Sequence, residues 1–113
     1  MSLDVNSASR DGWSVVTASG DLDSETAEEF RAAVERQLDG GFAGTVLDLA
    51  GVEFCDSSGL RALMILSRLA AERGRTLTLA RPSSAVRLVL EASGLTPYLP
   101  IEETLPTNGD AHR

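Results

Sequence analysis

Hydrophobic and polar positions along this chain follow two periods, and the switches between them mark out the elements. Leu3 to Ala8 reads as a strand, and Arg10-Asp11-Gly12 as a turn, Asp-Gly being a strong hairpin signal. Trp13 to Ala18 is a second strand in which Val15 and Thr17 alternate with Val16 and Ala18. Gly20-Asp21-Leu22-Asp23-Ser24 ends it and opens a helix, with Asp23 or Ser24 as the cap and Glu25 as first-turn acid. Ala27, Phe30, Val34 and Leu38 then recur at helical spacing, and Gly40-Gly41 stops the run. Val46, Leu47 and Leu49 form an apolar run too short for a helix, so this is a buried strand, with Gly51 turning the chain. Asp56 and Ser57 supply oxygens that open the next helix, whose body is Leu60 to Leu69. Thr76 to Ala80 alternates as a strand. Pro82 and Ser83 begin a third helix, with Val86, Val89 and Leu90 on one face and Gly94 closing it. Tyr98-Leu99-Pro100-Ile101 reads as a short last strand whose prolines confine it to an edge.

The order β-β-α-β-α-β-α-β describes a single α/β domain, residues 1–104, with a mainly parallel sheet of about five strands. A helix between two strands implies a right-handed crossover and parallel pairing. Strands two to five therefore run parallel, and strand one adds antiparallel. Residues 105–113 are polar and read as a disordered tail. Parallel strands share a carboxyl edge, where α/β folds place their ligands. If strands two and three are neighbours, Gly20 to Asp23 lies beside Asp56 to Ser58.

Composition narrows the function classes. The 113 residues carry a net charge of −7 and no lysine, so all ten basic residues are arginine. That balance argues against nucleic acid, which demands a basic face, and suits a partner with basic patches. No run approaches the ~18 apolar residues of a membrane span, and the N-terminus lacks the basic and apolar regions of a signal peptide. The single cysteine, Cys55, cannot form an internal disulfide, which fits a reducing cytoplasm.

Asp21, Asp23 and Asp56 at one edge could suggest a metal-bound phosphoacceptor, as in a response-regulator receiver, but that chemistry needs a lysine near the last strand. Turn formation and capping account for the same aspartates. A serine nucleophile needs a nearby base, and the only histidine is His112 in the tail. There is no Walker A lysine and no G-x-G-x-x-G, so no nucleotide cofactor is expected. Cys55 beside Phe54 reads as a small core hydrophobe. No enzyme, metal or cofactor is expected. The remaining chemistry is modification of a serine by another protein. Phosphate brings about −1.5 to −2 charges, and a helix N-terminus tolerates them. From the residues alone, plain capping is the simpler explanation of Asp56 and Ser57. Arg61, Arg68 and Glu72 mark a solvent stripe on the same helix, and Ile65 falls on it, as a docking face would require.

Asp56-Ser57-Ser58-Gly59-Leu60 after Val46-Leu47-Asp48-Leu49, with Gly20-Asp21-Leu22-Asp23 and Ser93-Gly94-Leu95, resembles the STAS domain. Within that family the chain is similar to the stand-alone anti-sigma factor antagonists of bacteria, over nearly its whole length, Leu3 to Glu103. The resemblance implies a partner switch. The unphosphorylated antagonist binds an anti-sigma factor, a serine kinase of histidine-kinase-like ATPase fold, and frees a sigma factor. Phosphorylation of the serine after the aspartate, here Ser57, ends the complex, and a phosphatase resets it. The resemblance carries Asp21, Leu22, Asp23, Asp56, Ser57, Ser58, Gly59 and Arg61 over as partner-contacting. Ile65 joins them by the stripe argument, since the family is often small or polar there. STAS domains also serve as stressosome-type scaffolds and as accessory subunits of a lipid-transport ATPase.

Overall fold

The Asp11-Gly12 turn forms as its sequence predicts. In the computed structural model, which describes residues 2–105, it joins β1 (Leu3–Arg10) to β2 (Trp13–Leu22). The two strands pair antiparallel from Leu3↔Gly20 to Arg10↔Trp13. Asp11 (φ 53°) and Gly12 (φ 84°) are both left-handed, the geometry whose twist matches the flanking strands in a two-residue hairpin loop. The chain continues as α1 (Ala27–Leu38), β3 (Gly44–Cys55), α2 (Ser57–Glu72), β4 (Leu77–Ala80), α3 (Ser84–Ser93) and β5 (Ile101–Glu102). The sheet order is β1-β2-β3-β4-β5, and β2 to β5 are parallel. The expected α/β architecture is the observed one, and strands two and three are neighbours.

The helical apolar stripes meet the sheet in one core. Phe30 and Val34 of α1, Leu63 and Leu66 of α2, and Val86 and Leu90 of α3 pack with Val16, Leu47, Leu49 and Leu79. Each such side chain contributes about 1.5–3 kcal/mol relative to exposure. Beside this core, the buried carboxylate of Asp48 (4% exposed) accepts from Arg81 Nη2 at 2.6 Å and Nε at 3.1 Å, and from the Ala50 N–H at 3.2 Å.

Several boundaries differ from the sequence reading. β3 does not turn at Gly51 but runs on to Cys55, through two register shifts against β2. Thr17 and Ser19 face Asp48 and Gly51, and Gly20 and Asp21 face Val52 and Phe54, so β3 carries an extra residue each time. A Cβ on Gly51 would lie 2.6 Å from Ser19 Oγ and 3.1 Å from the Ala18 carbonyl oxygen. The glycine thus serves close strand approach rather than a turn.

β2 likewise extends to Leu22, and α1 starts later than expected, after Thr26 rather than at Asp23 or Ser24. Asp23 instead closes a turn of its own, accepting from the Glu25 N–H at 2.9 Å and the Thr26 N–H at 3.2 Å. The first-turn acids are therefore Glu28 and Glu29 rather than Glu25.

At the other end Thr96–Tyr98 forms a 3₁₀ turn, and the edge strand is only Ile101–Glu102. Pro97 and Pro100 have no N–H to give a ladder. The tail expected from Leu105 lies, from residue 106 onward and with His112, outside the described residues.

Candidate functional site

Parallel pairing of β2 with β3 brings their carboxyl ends together, with Asp21 opposite Phe54 and Leu22 opposite Cys55. The Asp56 N–H donates to the Leu22 carbonyl at 3.3 Å, so the chain leaves the sheet tied to β2. Asp56 has extended backbone (φ −112°, ψ −168°), and its carboxylate accepts from the Ser58 N–H at 2.9 Å and the Gly59 N–H at 3.1 Å. That is the N-cap of α2 and satisfies two of the helix's free donors. Ser57, the first residue of α2, is exposed, while Ser58 is half-buried. Gly59 sits beneath them. A Cβ there would lie 2.7 Å from the Leu22 carbonyl oxygen, 2.8 Å from Leu22 Cγ and 2.9 Å from Cys55 Sγ. Only glycine lets α2 begin this close to the sheet.

These contacts sort the residues expected at the partner surface. Asp56, Ser57, Ser58, Arg61 and Ile65 are gathered at one end and flank of α2, with Asp21 half-buried beside them. Leu22 is 0% exposed and Asp23 5%, and Gly59 is buried. As folded, Leu22 and Gly59 present no side-chain surface, because Gly59 sets α2 directly onto Leu22. The Asp23 carboxylate is turned into its own loop. These three shape the site from below. Ile65 is half-buried rather than fully on the solvent stripe. It lines a groove of about 200 Å³ between α1 and α2 with Ser58, Arg61, Ser24, Glu28 and Arg31.

Sequence reasoning passed over two contributors. Phe54 is 44% exposed, although alternation from buried Val52 would bury it. Glu53, the unpaired residue of the second β3 register shift, turns Phe54 outward beside Asp21. The α1 wall of the groove is the other. There Arg31 is clasped by Glu28 and by Glu35 at 2.6 Å. Its hydrogen bond to Glu28 raises the guanidinium pKa and holds the Glu28 carboxyl below the usual glutamate range. Burial, and then the Asp56 charge, push the Cys55 thiol up to about 11. Cys55 is the small core residue its neighbours suggested. Among the described residues no group of three His, Cys, Asp or Glu side chains is placed to hold a metal ion, and no helix is long and apolar enough to cross a membrane.

With this geometry in view, a family model described as "Mlab, STAS domain" matches residues 5–101. The chain belongs to the STAS-domain family. Curated relatives that it resembles are named anti-sigma factor antagonists. The anti-sigma F factor antagonist of Lysinibacillus sphaericus is 36% identical over 87 residues, covering 75% of this chain and 74% of that one. Among solved structures, an anti-sigma factor antagonist from Mycobacterium paratuberculosis superposes with a TM-score of 0.77 at 28% identity, over 98% of this chain and 92% of that one. The Bacillus cell fate determinant SpoIIAA in its phosphorylated form shares the fold, with a TM-score of 0.66 at 22% identity, covering 98% and 96% of the two chains. The STAS assignment spans the whole of the site, from Asp21 to Ile65.

Proposed function

We propose that this STAS domain is a cytoplasmic anti-sigma factor antagonist working by partner switching. The edge around Ser57 docks an anti-sigma factor that is itself a serine kinase of histidine-kinase-like ATPase fold, and docking frees the sigma factor. The kinase then moves the γ-phosphoryl group of ATP to Ser57 Oγ. A P–O bond to ADP breaks as the new one forms, and the hydroxyl proton passes to a base of the kinase. A phosphatase hydrolyses the phosphoserine and restores binding. The domain contributes surface and an acceptor hydroxyl, and no catalytic group.

One observation carries the reading: Ser57 is exposed at the first position of α2, while the neighbouring Asp56 does the capping. The hydroxyl is thereby free for transfer, and the frame that holds it does not depend on it. The helix N-terminus accepts added negative charge. Phe54, in register with Asp21 at the same sheet edge, supplies an exposed aromatic, the residue type enriched at protein interfaces. The relatives' names support the antagonist role.

The test is incubation with the cognate kinase and ATP, followed by peptide mapping. One phosphate on Ser57, absent from Ser57→Ala, is expected. Phosphate on Ser58 alone would sink the assignment. Native co-purification of a transport ATPase or a scaffold in place of a kinase would replace the antagonist with the accessory role.

A further inference from the structure

Ser57 and Arg61 stand one helical turn apart on α2, and both are exposed. Residues four apart on a helix have Cβ atoms roughly 5–6 Å apart on one face, and an anion placed N-terminal to its cation is the favoured order. The guanidinium's fork of N–H donors suits two phosphate oxygens at once. Arg31, Arg73, Arg81 and Arg87 are each occupied by carboxylates. Arg61 makes no salt bridge among the described residues and lines the groove that begins at Ser58.

We propose that Arg61 is the intramolecular partner of the phosphate on Ser57, an inference that rests on Ser57 being the modified residue. In the unmodified domain the Arg61 guanidinium faces outward at the docking edge. On phosphorylation it turns to its own helix and takes up the phosphate. The modification then acts twice: it adds an anion to the surface and withdraws a cation from it. The other charges at this edge are Asp56 on α2, Asp21 and Glu53 on the strands, Asp23 and Glu25 in the loop after β2, and Glu28 and Arg31 on α1. The carboxylates oppose the phosphate dianion, which makes a specific cation beside it consequential. Arg31 lines the same groove but is already clasped by Glu28 and Glu35.

The experiment places phosphoserine at position 57 of the full chain during synthesis, so that no kinase is needed, and follows its ³¹P resonance against pH. The second ionisation of the phosphate should be lower in the wild type than in Arg61→Gln by about 0.3 of a pH unit, the size expected of an i,i+4 ion pair. Arg61→Lys should recover part of the shift, and added salt should shrink it. Identical titrations of wild type and Arg61→Gln overturn the pairing, as does an equal or larger effect from Arg31→Gln. Neither result touches the kinase assay, and a kinase that ignores Ser57 leaves this measurement intact.

Discussion

Gly59 shows how closely a single residue is constrained at this edge. A methyl group there would press on the Leu22 carbonyl, the Leu22 side chain and the Cys55 sulfur at 2.7–2.9 Å. Two of those neighbours are packed core side chains and the third is backbone, so relief requires α2 to move. Gly59→Ala should cost ~1–3 kcal/mol, the range for overpacking a filled core, and denaturant unfolding measures it. Because α2 would lift at the end that carries Ser57, partner affinity should fall as well. A variant as stable as wild type would show that this contact is looser than described. Phe54 sits at the other extreme. With 44% of its surface open, Phe54→Ala should change stability little. If the proposed partner covers this exposed aromatic, the substitution should weaken binding by ~1 kcal/mol or more. Calorimetry on the same preparation reads both effects, and unchanged affinity would take Phe54 out of the interface.

At the scale of elements, the pairing of α1 with α2 holds the groove open and its walls in register. Their C-terminal ends are pinned by Arg73, which bonds Glu35 and Asp39, each at 2.8 Å. Arg73 first, and Arg31 after it, hold the Glu35 carboxyl below its ordinary value. A carboxyl whose folded pKa is depressed stabilises the fold above its unfolded pKa and loses that contribution as pH falls through the folded value. The melting temperature of the wild type should therefore exceed that of Glu35→Gln at pH 7, and the two should converge as pH drops below ~4. A gap that persists in acid would mean that packing, not charge, ties the helices. Ile65, on the groove wall, gives the functional counterpart. Being half-buried, it should accept glutamate with a modest loss of stability while partner binding weakens. Collapse of the fold in Ile65→Glu would place Ile65 in the core.

For the whole molecule the question is whether the proposed phosphorylation would refold the domain or only block a surface. The Asp56 cap and the ties from Asp56 to Leu22 and from α2 to the sheet do not use the Ser57 hydroxyl. A phosphate at that position gains ~0.3–1 kcal/mol from the helix terminus. In an interface the same group faces desolvation and like charges, costing ~2–5 kcal/mol, which is tens to thousands of fold in affinity. Phosphorylation should thus abolish binding while amide exchange stays unchanged across the sheet. Exchange protection lost through β2 and β3 would make the switch conformational instead. Ser57→Ala should bind and never release, and Ser57→Asp should bind poorly.

The architecture was legible because it rests on local periods. Phe30, Val34 and Leu38 recur as a helix face must, Asp11-Gly12 permits only a tight hairpin, and helices between strands dictate parallel pairing. The helix start was legible too, since Asp56 and Ser57 supply capping oxygens next to a buried strand, while the proposed role of Ser57 came from the family resemblance. Tertiary structure decided what depends on register and on packing between distant segments. The extra residues in β3 exist only relative to β2, so no period along the chain could turn Phe54 outward. Leu22 and Asp23 read as a surface loop until α2 is set upon Leu22, and Thr26 took the helix start because Asp23 found nearer donors in its own turn. The pairing of Arg81 with Asp48 and the α1 wall of the groove join residues far apart in sequence. These contacts follow from the crossing of elements, which local propensity does not encode.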